Sequence, residues 1–374
     1  MKIIAFADLH LDSAFASYPE NERAERKDVL MRVFSRICNE CRQRNADLLL
    51  IGGDLFDVPT PSPACAELVA SELGSLNIPV VIAPGNHDYY IPDEVYDHMP
   101  KNVKVFKNEA LSEFAFYDLG VTVDGYAFLS DTHEQVSINA YDSPNGSGIR
   151  LLLAHTDINN KCSPYAYIDI SSLVHAGYTF SFFGHVHTDT ETYTSDNTHY
   201  AYSGVPQGRS IDEPLDGGIR EVVIDGGRVV SNELIYVGEW KNLIYEISAD
   251  DASSDSELIR RIEEELSLCG IEPLDVLRII LVGEHGFYYV PNEALIQKQI
   301  QKKLTGVTIS LKNEAVPQIN RDELLSDPSI VGVLYRTLFE DEEYINKYTA
   351  DQRTRAFRLA LAAMRGDQLN YENI

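Results

Sequence analysis

Seven side chains of the kinds that bind borderline to hard metal ions recur in five short clusters of this 374-residue chain: Asp8, His10, Asp54, Asn86, His155, His185 and His187. The clusters read Asp8-Leu9-His10, Gly53-Asp54-Leu55-Phe56-Asp57, Gly85-Asn86-His87-Asp88, Ala154-His155-Thr156 and Gly184-His185-Val186-His187. Carboxylate, amide and imidazole ligands without thiolates suit Mn, Fe or Zn in a reactive site better than a structural zinc. Their number exceeds what one ion needs and is enough for two ions that share a bridge. A carboxylate can face one ion with each oxygen, and Asp54, central in the order of clusters, is the natural bridge. Any one cluster alone is weak; an Asp-x-His pair or an exposed His-x-His occurs often by chance. The glycines before Asp54, Asn86 and His185 are expected to let the chain turn sharply toward the ions.

The elements between the clusters must bring them together. Lys2–Ala7, Asp47–Gly52, Pro79–Ala83, Arg150–Ala154 and Phe180–Phe183 are short apolar runs, predicted as buried strands, and each ends at one of the clusters. In open α/β sheets, sites form outside the carboxyl ends of strands. Five strand ends can thus deliver their ligands to one crevice. Between the strands, Val29, Leu30, Val33, Phe34, Ile37 and Cys41 repeat at helical spacing within Asn21–Arg44. Ser62-Pro63 is an N-cap followed by proline at the first helical position, opening a helix to about Gly74. Residues 103–130 are predicted to form β-hairpins, and Asp142–Gly148 a turn-rich loop. Short strands with a turn at Asp225-Gly226-Gly227 follow, and the texture changes near Trp240. Strand Leu243–Ile247, helix Ser256–Leu268, strand Leu277–Val282, helix Asn292–Leu304 and strand Val307–Leu311 form a compact α/β unit. The tail from Asp322 is predicted helical and charged, with Tyr344–Arg365 an exposed amphipathic helix carrying Arg353, Arg355 and Arg358, which could dock an acidic partner.

Composition narrows the class. With 44% hydrophobic and 24% charged residues the chain suits a globular protein. No apolar run approaches the ~18 residues of a membrane span and no secretory signal is visible, so a cytoplasmic protein is expected. Five cysteines in irregular positions do not read as a disulfide framework, and Cys38-x-x-Cys41 falls inside a helix, as reduced buried thiols. The net charge of −27 works against unaided nucleic-acid binding.

The five clusters, in this order, resemble the calcineurin-like metallophosphoesterase superfamily, whose pattern is Asp-x-His, Gly-Asp-x-x-Asp, Gly-Asn-His-Asp or -Glu, a His, and Gly-His-x-His. Ala7–Asp12, Gly53–Asp57 and Ser203-Gly204-Val205-Pro206-Gln207-Gly208-Arg209 look most like its DNA-repair exonuclease branch, the SbcD- and YhaO-like proteins. The resemblance implies an α/β fold with a central two-sheet β-sandwich flanked by helices over residues 1–240, a small α/β cap over 241–320 and a helical, partner-docking tail over 321–374. It implies a first ion on Asp8, His10, Asp54 and His187 and a second on Asp54, Asn86, His155 and His185, with Mn the first choice. It implies hydrolysis of a phosphodiester by a hydroxide bridging the ions, with His87 facing the scissile phosphate as a non-ligand. Asp57 is expected outside the ligands or near substrate, and Asp88 is expected to orient His87. Tyr89 could stack on a base and Arg209 could hold a phosphate, although packing and a salt bridge are the plainer roles. DNA as substrate, an SbcC-like coiled-coil ATPase as partner, and a homodimer made near the helix after Ser62 and near Asp93–His98 are implied as well. The alternatives are a small-molecule or nucleotide phosphodiesterase on the same core, which the charge favours, and a non-catalytic scaffold, which the full ligand set disfavours.

Overall fold

The structure of the protein, a computed structural model, describes residues 1–136, 138, 148–158, 160–193, 198–213 and 217–365. The stretch at 142–147, expected to be turn-rich, lies outside the described residues. In chain order the first part comprises β1 (Lys2–Phe6), α1 (Glu20–Gln43), β2 (Leu48–Ile51), α2 (Pro63–Gly74), β3 (Val80–Ile82), β4 (Val103–Val105), β5 (Ser112–Phe116), β6 (Val121–Gly125), β7 (Ile149–His155), α3 (Ile170–Ala176), β8 (Phe180–Gly184), β9 (Asp189–Tyr193), β10 (His199–Ser203), β11 (Ile219–Asp225) and β12 (Arg228–Ile235). All five strands expected to carry the clusters form, as β1, β2, β3, β7 and β8.

They are divided between two six-stranded sheets, ordered β12-β11-β1-β2-β3-β4 and β5-β6-β7-β8-β10-β9. In the first, β1 to β4 run parallel, and β11 joins β1 antiparallel with a hairpin to β12 outside it. In the second, β6, β7, β8 and β10 run parallel between antiparallel edges β5 and β9. Only β5–β6 realises the hairpins expected over 103–130. The sheets share one core. Along β7, Leu151 and Leu153 join the cluster that holds β1 and β2, while Leu152 and Ala154 join a second cluster with Leu173 and Ala176 of α3. The two-residue strand period puts these sets on opposite faces. Alpha-helix α1 covers the other face of the first sheet with the expected stripe of Val29, Leu30, Val33, Phe34 and Ile37, all buried. Each such side chain contributes roughly 1.5–3 kcal/mol by leaving water. Cys38 and Cys41 are buried free thiols on that stripe; burial pushes Cys41 up to about 12. This is the sandwich of two sheets flanked by helices.

Two compact units separate by contacts, Met1–Leu243 with Leu274–Val276, and Ile244–Pro273 with Leu277–Ile374. The second contains most of β13 (Asn242–Ser248), α4 (Asp255–Leu266), β14 (Val276–Val282), β15 (Glu284–His285), α5 (Glu293–Lys303), β16 (Thr308–Asn313), β17 (Val316–Pro317), α6 (Arg321–Ser326), α7 (Ile330–Phe339), α8 (Glu342–Lys347) and α9 (Ala350–Arg365). The expected single helix over 344–365 is two helices, and it is not wholly exposed. Phe357 and Leu361 are buried with Phe287, Leu324, Tyr335 and Leu338. Arg353 donates to the Leu338 carbonyl and Arg358 pairs with Glu284, leaving Arg355 to its i−4 partner Asp351. No helix among the described residues is long and apolar enough to cross a membrane.

Candidate metal centre

The clusters follow the carboxyl ends of β1, β2, β3 and β8, and His155 is the last residue of β7. Parallel pairing gathers three of these ends in one sheet and two in the other, and the two sets meet where Gly184 approaches the Gly52 carbonyl and the His185 N–H donates to Asp8. The turns are made differently from the expectation. Asp8 (φ 56°), His10 (φ 51°), Asp54 (φ 49°) and His185 (φ 94°) themselves adopt the left-handed region. That conformation costs a non-glycine residue of order 1–3 kcal/mol and clusters at functional sites. Of the three glycines, Gly53 has positive φ, whereas Gly85 and Gly184 serve close approach: a Cβ at Gly85 would overlap the Asp54 carboxylate and the His155 ring.

The hydrogen-bond roles of the histidines are fixed by acceptors. His10 Nδ1 is 3.0 Å from Asp57 Oδ1, His187 Nδ1 is 3.2 Å from Glu213 Oε1, and His155 Nδ1 is 3.0 Å from the Gly52 carbonyl oxygen. Carboxylates and carbonyls only accept, so each Nδ1 donates, and in the neutral ring Nε2 keeps its lone pair. Those lone pairs converge. His10 Nε2 and His187 Nε2 are 3.3 Å apart. Asp54 Oδ2 lies 3.7 Å from His10 Nε2 and 3.4 Å from His155 Nε2, and Asn86 Oδ1 lies 2.9 Å from His155 Nε2. Asp8 Oδ1 lies 4.0 Å from His187 Nε2 and 3.9 Å from His155 Nδ1. Burial keeps the rings neutral, lowering His10 to about 4, His155 to about 3 and His185 to about 4. Burial first, with the Asp54 charge adding to it, pushes the Asp8 carboxyl up to about 7. Neutral lone pairs and carboxylate oxygens that face one another without a shared hydrogen repel, and a cation among them removes the repulsion. The donor set therefore fits divalent cations. Among the described residues, three groups have ligand atoms within 4.8 Å of one another: Asp8, His10 and His187; His10, Asp54 and His87; and Asp8, Asp54 and His155. His185 stands in none of these. Its ring packs at 4.5 Å from the Tyr165 ring and 5.3 Å from His155, and its backbone N–H donates to both Asp8 oxygens.

His87 sits at the opening, its side chain 45% exposed, with Nδ1 3.1 Å from Asp57 Oδ1. That hydrogen bond outweighs partial burial and holds the imidazole above its usual pKa. Burial would raise Asp57, but the bonds from His10 and His87 hold it well below the carboxylate range. Asp57, not Asp88, is thus the carboxylate that orients His87. Asp88 instead turns into the protein, where it accepts the backbone N–H groups of Gly85, Asp54, Leu55 and Phe56 and the Tyr96 hydroxyl. It is the clasp that holds the β2 and β3 loops together. Asp88→Asn sets an amide NH₂ against these donors, and each buried donor left unmatched costs ~1–3 kcal/mol. The expected outcome is a loss of about 3 kcal/mol, read as a lower urea midpoint with unchanged slope; an unchanged midpoint would count against the clasp.

Arg209 does reach the site, but as a salt-bridge partner: Nη1 is 3.0 Å from Asp57 Oδ1 and Nη2 is 2.8 Å from Glu213 Oε1. Its loop is anchored by buried Gln207, whose Oε1 accepts the Glu239 N–H. Tyr89 is partly buried and packs on the second core cluster. The histidines outside the clusters are elsewhere engaged. His98 and His175 contact carbonyls four residues back, and His133 is buried between Tyr126 and Phe128. Glu213, Tyr165 and Tyr96 were not foreseen from sequence; only the i+4 spacing of Glu213 from Arg209 was there to be read.

A two-layer sandwich whose parallel strand ends gather carboxylate oxygens and imidazole lone pairs beside a half-exposed histidine defines a metallohydrolase. The chain belongs to the calcineurin-like phosphoesterase family, which matches residues 1–189. It is similar to the DNA double-strand break repair protein Mre11 of Saccharolobus solfataricus, 25% identical over 219 residues that make up 55% of this chain and 54% of the relative. The Mre11 of Methanopyrus kandleri is 23% identical over 287 residues, 70% of this chain and 62% of the relative. The chain therefore spans about half to three-fifths of the length of these curated relatives. A solved dimetal phosphatase from Danio rerio aligns with 60% of this chain and 93% of its own at 10% identity and a TM-score of 0.42, too loose a likeness to argue from.

Proposed function

We propose that the chain is a DNA phosphodiesterase, an exonuclease or endonuclease of the SbcD-like repair kind. The observation that carries the chemistry is the convergence of acceptor atoms on Asp54 beside His87. DNA as substrate is supported by the similarity to two archaeal repair proteins. In this reading Asp8, His10, Asp54 and His187 hold one divalent cation and Asp54, Asn86, His155 and His185 a second, with Mn2+ ahead of Fe or Zn. Such cations supply Lewis acidity toward phosphoryl oxygens and lower the pKa of water at neutral pH. The chain's own groups do the rest. His87, whose imidazolium form the Asp57 bond favours, faces the growing charge on the phosphoryl oxygens and donates a proton to the leaving oxygen from Nε2. Asp57 fixes the His87 and His10 rings at once. Arg209 acts through Asp57 and Glu213, which it braces.

The net charge of −27 leaves the DNA-holding charge to a partner. A long coiled-coil ATPase of the SbcC kind, and a second copy of this chain, are the partners this reading assigns. The same charge favours a second reading, a phosphodiesterase acting on nucleotides or other small diesters. The test is Mn2+-dependent degradation of linear double-stranded DNA beside hydrolysis of a bis-aryl phosphate and cyclic nucleotides, with and without the ATPase. DNA degradation that rises with the ATPase is expected. Hydrolysis confined to the small diesters would replace the first reading with the second.

A further inference from the structure

Glu213 belongs to none of the five clusters, yet its side chain is 12% exposed and its carboxylate lies 3.2 Å from His187 Nδ1. Arg209 holds the same carboxylate, with Nη2 at 2.8 Å and Nε at 3.2 Å from Oε1, and its main-chain N–H donates to the other oxygen. The far side of the guanidinium, Nη1, is 3.0 Å from Asp57 Oδ1. Asp57 in turn holds His10 Nδ1 at 3.0 Å and His87 Nδ1 at 3.1 Å. Two carboxylates and one planar fork thus form a continuous chain that ends on three imidazole Nδ1 atoms.

We propose that Glu213 is the positioning carboxylate for cation binding by His187, and that Arg209 is the strut joining Glu213 to Asp57, so that this ion-pair chain sets the tautomers of His187 and His10 and the orientation of the His87 ring together. The inference rests on the cation-binding reading of the site and not on DNA as substrate. The argument is one of donors and acceptors. A carboxylate cannot donate, so His187 presents Nδ1–H to Glu213, and in the neutral, metal-binding form of the ring its Nε2 lone pair faces the cluster of His10 and Asp8. Without Glu213 the neutral ring can place its hydrogen on either nitrogen and turn about χ2, and half the arrangements point a hydrogen at the cluster. Arg suits the strut because its fork presents N–H groups to two carboxylates in fixed directions, which a lysine cannot do. Engaged by both, the guanidinium is a brace rather than a free phosphate clamp.

The test titrates Mn2+ by calorimetry into metal-free full-length protein, wild type beside Glu213→Gln and Glu213→Ala. Outer carboxylates on ligating histidines are worth about 10–100-fold in metal affinity. Wild type is expected to bind two ions. Glu213→Ala is expected to weaken one of them about 10–100-fold and leave the other near its wild-type affinity. Glu213→Gln, whose amide oxygen still accepts from Nδ1–H, should fall between. Side-chain 15N shifts of His187 in the metal-free protein should report Nδ1 protonation in wild type and a tautomer mixture in Glu213→Ala, a change that a merely structural loss would not produce. Both ions bound as in wild type by both variants would overturn the proposal, as would equal weakening of both ions. If wild type itself binds fewer than two ions, the two-cation reading fails first, and visibly so. Should Glu213→Ala not fold, Glu213→Gln alone decides between a selective weakening of one ion and none.

Discussion

His87→Ala is expected to keep both bound cations and to lose about 10²–10³-fold in phosphodiester turnover, as removal of a charge-stabilising or proton-donating group typically does. Its position at the opening, with Nδ1 committed to Asp57 and the protonated ring favoured by that bond, suits a group that meets substrate. A protonated ring offers Nε2–H, which can serve a developing oxyanion and has no lone pair for a metal. The geometry also admits the competing role, because His87 forms a group with His10 and Asp54 whose ligand atoms fall within 4.8 Å. The variant separates the two: a ligand takes metal with it, whereas a substrate-facing acid does not. Metal content measured alongside kcat on the same preparation checks this. Loss of an ion in His87→Ala would make His87 a ligand, and full turnover with both ions present would remove it from the chemistry.

Asp54→Ala has the larger expected effect, because the loss falls on both ions. Asp54 is 2% exposed, and its Oδ2 stands between His10 Nε2 and His155 Nε2 while Oδ1 accepts the His87 N–H. Its removal takes the shared anion from between two sets of neutral imidazoles. Loss of an outer-shell partner already costs about 10–100-fold in metal affinity, so loss of a shared carboxylate should exceed that for each ion. Turnover is expected to fall to background. The Asp88 clasp, which holds the Asp54 backbone N–H, keeps the loop in place in this variant, so circular dichroism should remain that of the wild type.

Much of the site could be read from sequence because strand ends are marked locally. A run of apolar residues that stops at an Asp, Asn or His says where the strand ends and what it presents, and parallel pairing aligns the ends within each sheet. The same logic recovered α1 from its apolar stripe and the alternation of helix and strand from Asn242 to Asn313. Roles that depend on which way a side chain turns were not legible. Asp88 neighbours His87 in sequence, yet it points inward to four N–H groups while Asp57, thirty residues earlier in the chain and 3.1 Å from His87 Nδ1, takes the ring. Glu213 arrives from a loop far along the chain, without a motif to announce it. The break in the tail is encoded locally. Thr349 and Gln352 cap one another reciprocally, Oγ1 to the Gln352 N–H at 3.2 Å and Oε1 to the Thr349 N–H at 3.0 Å. This capping box starts α9 within a stretch expected to be one helix.

The central claim is that the strand ends of both sheets build one site for two cations that share Asp54. Its most direct test is the number of ions retained per chain by wild type and Asp54→Ala after reconstitution with Mn2+ and removal of free metal. Two ions in wild type and none in the variant are predicted. One ion or none in wild type, or two ions surviving in Asp54→Ala, would contradict the account.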